Sequence, residues 1–164
     1  MELVCVNIDT ATILKEIGFN IDCRSYYVNN TSRLISSSTD NHNKYSFCAS
    51  APEQYLARKF LKLKHNILIE ISYFPIEDDD ENLKEILHEV EVYDIENNKF
   101  ELLYNDGGFK EEEEALEKAI FNTCKIIKDR IKEKEIAEKR ERTFNIHTEE
   151  EQKETTAIRK SLIL

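Results

Sequence analysis

The chain has 164 residues, of which 40% are apolar and 34% charged, and its formal net charge at pH 7 is -10. This length fits one ordinary domain with an appendage and excludes two large domains, and the apolar fraction excludes a wholly disordered chain. No apolar run reaches the roughly 18–20 residues that cross a bilayer, and the first residues do not resemble a secretory signal. We therefore expect a soluble, intracellular protein.

The first third of the chain predicts a short helix followed by strands and a polar loop. Asp9 or Thr10 can cap the helix, which ends near Gly18, where a residue with positive φ is common. Polar residues that compete with regular backbone bonding dominate the segment before Tyr45. The predicted elements are a strand at 24–28, a loop at 31–44 with at most a weak strand at 34–35, and a strand at 45–49.

The clearest local signal is the segment Ser50–Glu53, in which a serine, an early proline and a glutamate form a capping box. It predicts a helix that begins near Ala51 and ends at Asn66. The apolar stripe of this helix consists of Leu56, Phe60 and Leu63. Residues 67–74 then alternate and are rich in β-branched side chains, which predicts a strand that Pro75 stops.

Acidic residues are concentrated in the middle of the chain, with thirteen acids and two lysines between Glu70 and Asp106. Within this region we predict an acidic connection at 77–87 with at most one helical turn, and a β-hairpin formed by 88–95 and 100–104. The charge repels phosphate backbones, so we expect no direct nucleic-acid binding here. A basic partner, a cation, imitation of nucleic acid, and plain solubility with protected sheet edges all fit the charge.

Four glutamates at 111–114 open a long amphipathic helix, because carboxylates are favourable at the positive end of a helix. Its apolar stripe ends at Ile131, and residues 132–142 continue the helical pattern with few apolar side chains. A second capping box at 148–151 predicts a short terminal helix with an apolar tip. This end of the chain is either a simple disordered terminus or a segment that docks on a partner.

These elements predict an α+β fold: a mainly antiparallel sheet of about five strands with two principal helices packed on one face, followed by a helical C-terminal extension. The predicted domain is 1–131, and the charged extension with its apolar tip is 132–164. The residues that we expect to bind a partner are Asp78, Asp79, Asp80 and Glu81 in the acidic connection, and Ile136, Ile158, Leu162, Ile163 and Leu164 in the extension.

Signatures of catalysis are absent from the sequence. The chain has three glycines and no nucleotide-binding, nucleophile-elbow or zinc-protease motif. Its four cysteines have no metal-ligand spacing, and the run Asp78–Glu81 lacks the spaced ligands of a calcium loop. We therefore expect no catalytic residue, no cofactor and no metal site, and we expect that the protein is not an enzyme.

One pattern of residues resembles a group of small uncharacterised proteins of gut Bacteroidales, their mobile elements and their phages. The matching residues are Lys15–Phe19, Cys23, Tyr26–Tyr27, Ser50–Pro52, Gln54, Leu56–Ala57, Phe60–Leu61, Lys64–Ile67, Tyr73, Pro75, Tyr93–Asp94 and Glu113–Ile120. The similarity covers about residues 10–130 and implies a phage or mobile-element origin without supplying catalytic residues. Residues 132–164 depart from the group, whose members usually stop soon after the last amphipathic helix.

The leading hypothesis is a non-catalytic protein-interaction module of phage origin, located in the host cytoplasm or in the virion. Its acidic sheet surface and C-terminal helix would contact another copy of the chain or a basic host or phage protein, without nucleic acid or membrane. One alternative is a host-takeover or anti-defence factor that binds a basic host protein. Another is a small enzyme or ligand-binding domain whose site has no sequence signature.

Overall fold

Helices and strands account for most of this computed structural model, which describes residues 4–28, 31–78, 82–96 and 99–161, with side chains up to Arg142. The helices are α1 (Ile8–Glu16), α2 (Gln54–His65) and α3 (Glu112–Ser161). The strands are β1 (Cys23–Val28), β2 (Leu34–Asp40), β3 (Cys48–Ser50), β4 (Ile67–Glu77), β5 (Leu83–Asp94) and β6 (Glu101–Phe109). A short 3-10 turn spans His42–Lys44.

The α+β class is confirmed, but the single sheet of about five strands is wrong. The strands form two antiparallel three-stranded sheets, a first sheet with the order β2-β1-β3 and a second sheet with the order β4-β5-β6. The second sheet is a simple meander, whereas β3 returns to pair with β1 after the polar segment. The composition of a strand does not determine which other strand it pairs with. The sequence pattern therefore cannot show that the strands form two sheets and not one.

The chain divides into two compact units, Met1–Lys128 and Asp129–Leu164. The predicted division lay between residues 131 and 132. The strands given above, α1 and α2 belong to the first unit, and the described residues of the second unit form the C-terminal part of α3.

In the first sheet, the polar segment predicted as a loop contains the whole of β2. Its residue Ile35 lies opposite Tyr26, and Ser36 lies opposite Ser25 with their hydroxyls 3.2 Å apart. Because β2 is a mostly exposed edge strand, serine and threonine can fill it without a burial cost. β3 begins only at Cys48, since the residues before it form turns.

The predicted capping box is wrong. Ser50 is the last residue of β3, where its backbone lies opposite Tyr26, so it is part of the sheet and not the start of a helix. Cys5 forms a single antiparallel bridge with Glu53, which holds the chain extended up to the first residue of α2, Gln54. The long-range pairing therefore outweighs the local capping signal.

The other end of α2 follows the sequence more closely. Asn66 ends the helix with a φ of 56°, as predicted. Leu63 is not part of the buried stripe and is 72% exposed, whereas Leu61 is fully buried with Phe60. Two residues rotate a helix by about 200°, so Leu61 and Leu63 point to opposite sides.

The acidic connection predicted at 77–87, with its helical turn, is also wrong. Pro75 does not stop β4, which continues to Glu77, and β5 already begins at Leu83. β4 is an edge strand, where one side of the backbone has no strand partner and proline is tolerated. The two strands pair antiparallel along almost their whole lengths.

Strand β6 and helix α3 are both longer than predicted. β6 runs through Asp106–Gly108, where the pairing shifts between His88 and Glu89 and Gly108 has a φ of 84°, so the glycines form a bulge and not a break. α3 continues through 148–151 as one helix of 50 residues, so the separate terminal helix is wrong. The predicted stripe is confirmed for Ala115, Leu116, Ala119, Ile120, Thr123, Cys124 and Ile127, all of which are buried.

One carboxylate ties the three helices together. Glu117 of α3 accepts hydrogen bonds from the Thr10 hydroxyl, from the Asn7 backbone N–H and from the side-chain amide of Gln54. Gln54 also donates to the carbonyl of Glu113 at 2.9 Å. Since Asn7 caps α1 and Gln54 begins α2, these bonds fix where both helices start relative to α3.

Candidate functional site

The two faces of the second sheet carry different side chains. Ile67 and Ile69 of β4 and Val90 and Val92 of β5 are buried, and they share one core cluster with the apolar stripe of α3. Successive side chains in a strand point to opposite faces, so the residues between these four lie on the other side of the sheet. On that other side, Glu70 of β4 and Glu91 of β5 lie opposite each other.

We call this surface the acidic face and define it by Glu70, Glu89 and Glu91. Glu70 lies directly opposite Glu91 on the neighbouring strand, and Glu89 lies opposite Ser72. Among the described residues, none of the three glutamates forms an ion pair with a lysine or arginine. Like charges directly opposite each other destabilise a sheet, so this arrangement carries an electrostatic cost.

Tyr93 is the aromatic member of the acidic face. Its hydrogen bond with Glu91 raises the pKa of the phenol, and partial burial and the charges of Glu91, Glu70 and Glu89 raise it further. The ring of Phe100 lies 6.2 Å from the Tyr93 ring, edge on, and Leu102 lies opposite Tyr93. Exposed apolar surface therefore adjoins the three carboxylates.

Of the predicted acidic run, only Asp78 is among the described residues, and it directly follows β4. The backbone N–H of Asp78 donates to the carbonyl of Asn82 at 3.0 Å, and the Asp78 carboxylate accepts from the Asn82 N–H at 2.9 Å. Asp79, Asp80 and Glu81 lie outside the described residues. The structure thus assigns Asp78 a turn-closing contact, and it gathers acids from strand positions that the sequence analysis had not singled out as a site.

The predicted contact residues of the extension are described only in part. Ile136 is 49% exposed, and all side chains from 131 to 142 are exposed. The side chain of Ile158 and the residues Leu162, Ile163 and Leu164 lie outside the described part of the chain.

A basic cavity on α2 is a feature that the sequence analysis missed. Its volume is about 270 Å³, and it is lined by Tyr55, Arg58, Lys59, Lys62, Leu68 and Ile69. The available signal was a helix with four cations and no acid in an otherwise acidic protein, with an aromatic residue one turn before the first cation. By sequence alone, these cations indicate only the exposed side of an amphipathic helix.

Three of the four cysteines have thiols whose pKa is raised by burial. Cys5 and Cys23 line a cavity of about 200 Å³, and burial raises the pKa of both thiols, as it raises that of Cys124 to about 12. The protonated thiol is a poor nucleophile, so these side chains act as small apolar residues. In the described part of the chain, no three His, Cys, Asp or Glu side chains are arranged to hold a metal ion.

Neither known families nor known structures add to this description. The chain matches no model of a known protein family, no curated protein sequence and no solved structure. Among the described residues, no helix combines the length and the apolar character needed to span a membrane.

Proposed function

We propose that the protein is a non-catalytic interaction module of phage origin that binds a basic protein surface through the acidic face of its second sheet. The observation that carries the proposal is the placement of Glu70 opposite Glu91, with Glu89 on the same surface and no described cation to neutralise them. A partner that presents lysines or arginines would remove this repulsion on binding.

The neighbouring apolar residues favour recognition over mere solubility. Phe100 and Leu102 are both exposed, and they adjoin Tyr93 and the carboxylates. A surface that serves only to keep a sheet soluble gains nothing from exposed apolar side chains beside its charges. Protein interfaces commonly combine aromatic residues with complementary charge.

The C-terminal extension is the second contact surface of this proposal. Within the described side chains of the second unit, Ile131 and Ile136 are exposed β-branched residues on a helix whose other side chains, apart from Ala137, are charged. Exposed apolar residues on such a stem favour pairing with another helix, from a second copy or from a partner. The proposed location is the host cytoplasm. If the protein instead has a structural role in the phage particle, it is incorporated into the virion.

The acidic face is tested by capture of proteins from a Bacteroidales host lysate on the tagged, full-length chain. We compare wild type with the triple variant Glu70→Gln, Glu89→Gln, Glu91→Gln, at low and at high salt. A partner bound through this face is lost in the variant and at high salt, because exposed charge pairs are screened. The captured protein is then purified and titrated against both chains by calorimetry, where we expect about a tenfold or greater loss of affinity.

The matched control is Glu111→Gln, Glu112→Gln, Glu114→Gln, which removes the same charge from exposed positions at the start of α3. Circular dichroism verifies that both variants fold. Equal loss of the partner in both variants would mean that net charge alone matters. Retention that ignores both the acidic-face variant and salt would refute the acidic face as the contact.

The extension is tested separately by light scattering after size-exclusion chromatography. If it associates with a second copy, the full chain has a larger mass than a chain that ends at Lys132, and Ile136→Gln shifts the equilibrium toward the smaller species. Identical monomeric masses would eliminate self-association. Mass spectrometry of purified phage particles tests whether the protein is part of the virion. If the protein is absent from the particles, this role is excluded.

A host-takeover or anti-defence role uses the same acidic face toward a host protein. It is distinguished by the identity of the captured partner, a host protein in this case and a phage protein in the virion version. The ligand-binding alternative rests on a different surface, the basic cavity on α2.

A further inference from the structure

We propose that the cavity on α2 binds the phosphate groups of a nucleotide, with the base against Tyr55. The cavity adjoins the acidic face through Leu68, which lies opposite Tyr93, but no glutamate of that face lines it and its charge is opposite. The proposal therefore goes beyond the proposed interaction function. Three cations, one aromatic residue and two apolar strand residues line a space of about 270 Å³. This volume lies just below the range of about 300–1,000 Å³ that is usual for small-molecule sites.

The spacing of the cavity residues follows from the helix. Tyr55, Arg58, Lys59 and Lys62 occur at intervals of three and four residues, so they lie along one side of α2. The buried stripe of α2 lies on another side, where Ala57, Phe60 and Leu61 enter the core. The hydrogen bonds to Glu117 fix the first turn of α2, so the cations project from a helix that is already held in place.

Arg58 is held in position before any ligand binds. Its Nη2 donates a hydrogen bond of 2.7 Å to the carbonyl of Ile69 in the edge strand β4, and its side chain is half-buried. A guanidinium has five N–H donors, so this bond leaves others for an anion. An arginine fixed in this way loses less conformational freedom on binding a phosphate than a free one.

No acidic residue of the described part of the chain lines the cavity. Within the described ranges, Arg58, Lys59 and Lys62 form no ion pair, although the whole chain has a net charge of -10. Neighbouring cations repel one another, and a multiply charged anion removes this repulsion. Arginine and lysine bind phosphate by charge-assisted hydrogen bonds, which are stronger than neutral ones.

Besides cations for the phosphates, a nucleotide site needs an aromatic ring on which the base can stack, and Tyr55 supplies this ring. The side chain is 71% exposed and stands one turn before the cations, and Leu68 and Ile69 supply an apolar wall. Bases stack on aromatic side chains with a gain that does not depend strongly on which base is present. A phosphate that carries a base therefore uses all three kinds of lining residue, whereas inorganic phosphate uses only the cations.

The surroundings favour a free nucleotide over a long strand. Glu70 follows Ile69 directly in β4, is exposed, and begins the acidic face. A strand that extended beyond the cavity in this direction would bring further phosphates toward those carboxylates, which is unfavourable.

The test is calorimetric titration of the full-length chain with four probes: adenosine triphosphate, inorganic triphosphate, adenosine, and a ten-residue thymidine oligonucleotide. We expect saturable, salt-dependent binding of adenosine triphosphate, weaker binding of inorganic triphosphate, and no measurable binding of adenosine. The variant Lys59→Gln, Lys62→Gln should raise the Kd for adenosine triphosphate by about tenfold or more. Arg58 is left unchanged in these variants because its bond to Ile69 also supports the fold.

The matched control is Lys64→Gln, Lys118→Gln, which removes equal charge from exposed positions outside the cavity lining. The variant Tyr55→Ala should raise the Kd for adenosine triphosphate by about threefold to tenfold. The Kd for inorganic triphosphate should not change, because inorganic triphosphate has no base that could stack on the ring. Binding of the oligonucleotide more tightly than adenosine triphosphate would overturn the assignment of the cavity to a free nucleotide. No saturable binding, equal loss in the control, or inorganic triphosphate that binds as well as the nucleotide would overturn the proposal.

Discussion

The second sheet presents one face to the core and one to solvent. The side chains of the core face stabilise the fold, whereas the charges of the acidic face destabilise it. On the core face, Val90 and Val92 are fully buried in the same cluster as the stripe of α3. Burial of their apolar surface stabilises the folded state. On the acidic face, Glu70 and Glu91 repel each other across the strands. The core face supplies stability and the acidic face lowers it, so selection for stability alone does not explain the acidic face.

The largest expected effect contrasts a leucine in the core cluster beneath the second sheet with a leucine on its acidic side. Leu116→Ala empties a buried position in α3 and should lower the free energy of unfolding by about 3 kcal/mol. Leu102→Ala removes the same atoms from a side chain that is 49% exposed, and should cost less than about 1 kcal/mol. Urea denaturation monitored by circular dichroism measures both, and equal losses would contradict the assignment of the two faces.

A smaller effect contrasts two tyrosines with raised pKa values. Burial and a hydrogen bond of 2.7 Å to Asp106 raise the pKa of Tyr104, which packs on the core side, from 10.0 to about 12. Above pH 10 the phenol ionises in the unfolded chain before it ionises in the folded one. The stability that it contributes is therefore complete below pH 10 and is lost as the pH rises to about 12.

We expect this loss to amount to about 1–2 kcal/mol after allowance for solvent screening. Tyr104→Phe should flatten the decline of unfolding free energy between pH 10 and 12, as measured by urea denaturation at several pH values. Tyr93→Phe, on the acidic face, serves as the comparison and should flatten it less. A wild-type profile that does not change in this range would show that Tyr104 is not held as the neutral phenol.

The smallest expected effect is an increase in the free energy of unfolding. Glu91→Gln removes one of two opposed carboxylates and should raise the unfolding free energy by about 0.5 kcal/mol at low ionic strength, with less gain at high salt. Glu133→Gln, an exposed change in the extension, should have almost no effect. Thermal denaturation at two salt concentrations resolves the difference. Destabilisation by Glu91→Gln would mean that a cation neutralises this glutamate in the folded protein.

The sequence predicted elements best where the signal was local and long. The buried stripe of α3, the end of α2 at Asn66 and the pairing of β5 with β6 are all confirmed, because each follows from a repeated apolar period or from a residue that tolerates positive φ. The start of α2 was wrong, since the bridge of Cys5 with Glu53 keeps the chain extended.

The candidate sites divide in the same way. The concentration of acids was evident from the sequence, but their location on one face required the register that sets Glu70 opposite Glu91. The basic cavity was not evident at all. It needs the contact of Arg58 with Ile69, and this contact depends on the return of β4 alongside α2.

The sequence by itself determined the class of fold, the helical period of α3 and the excess of negative charge, because these depend on composition and on neighbours a few residues apart. The tertiary structure alone decided that the strands form two sheets, that β4 continues past Pro75, and which charges share a surface. The physical reason is that strand partners and helix neighbours are chosen by the burial of apolar area between distant segments. No local pattern encodes that choice.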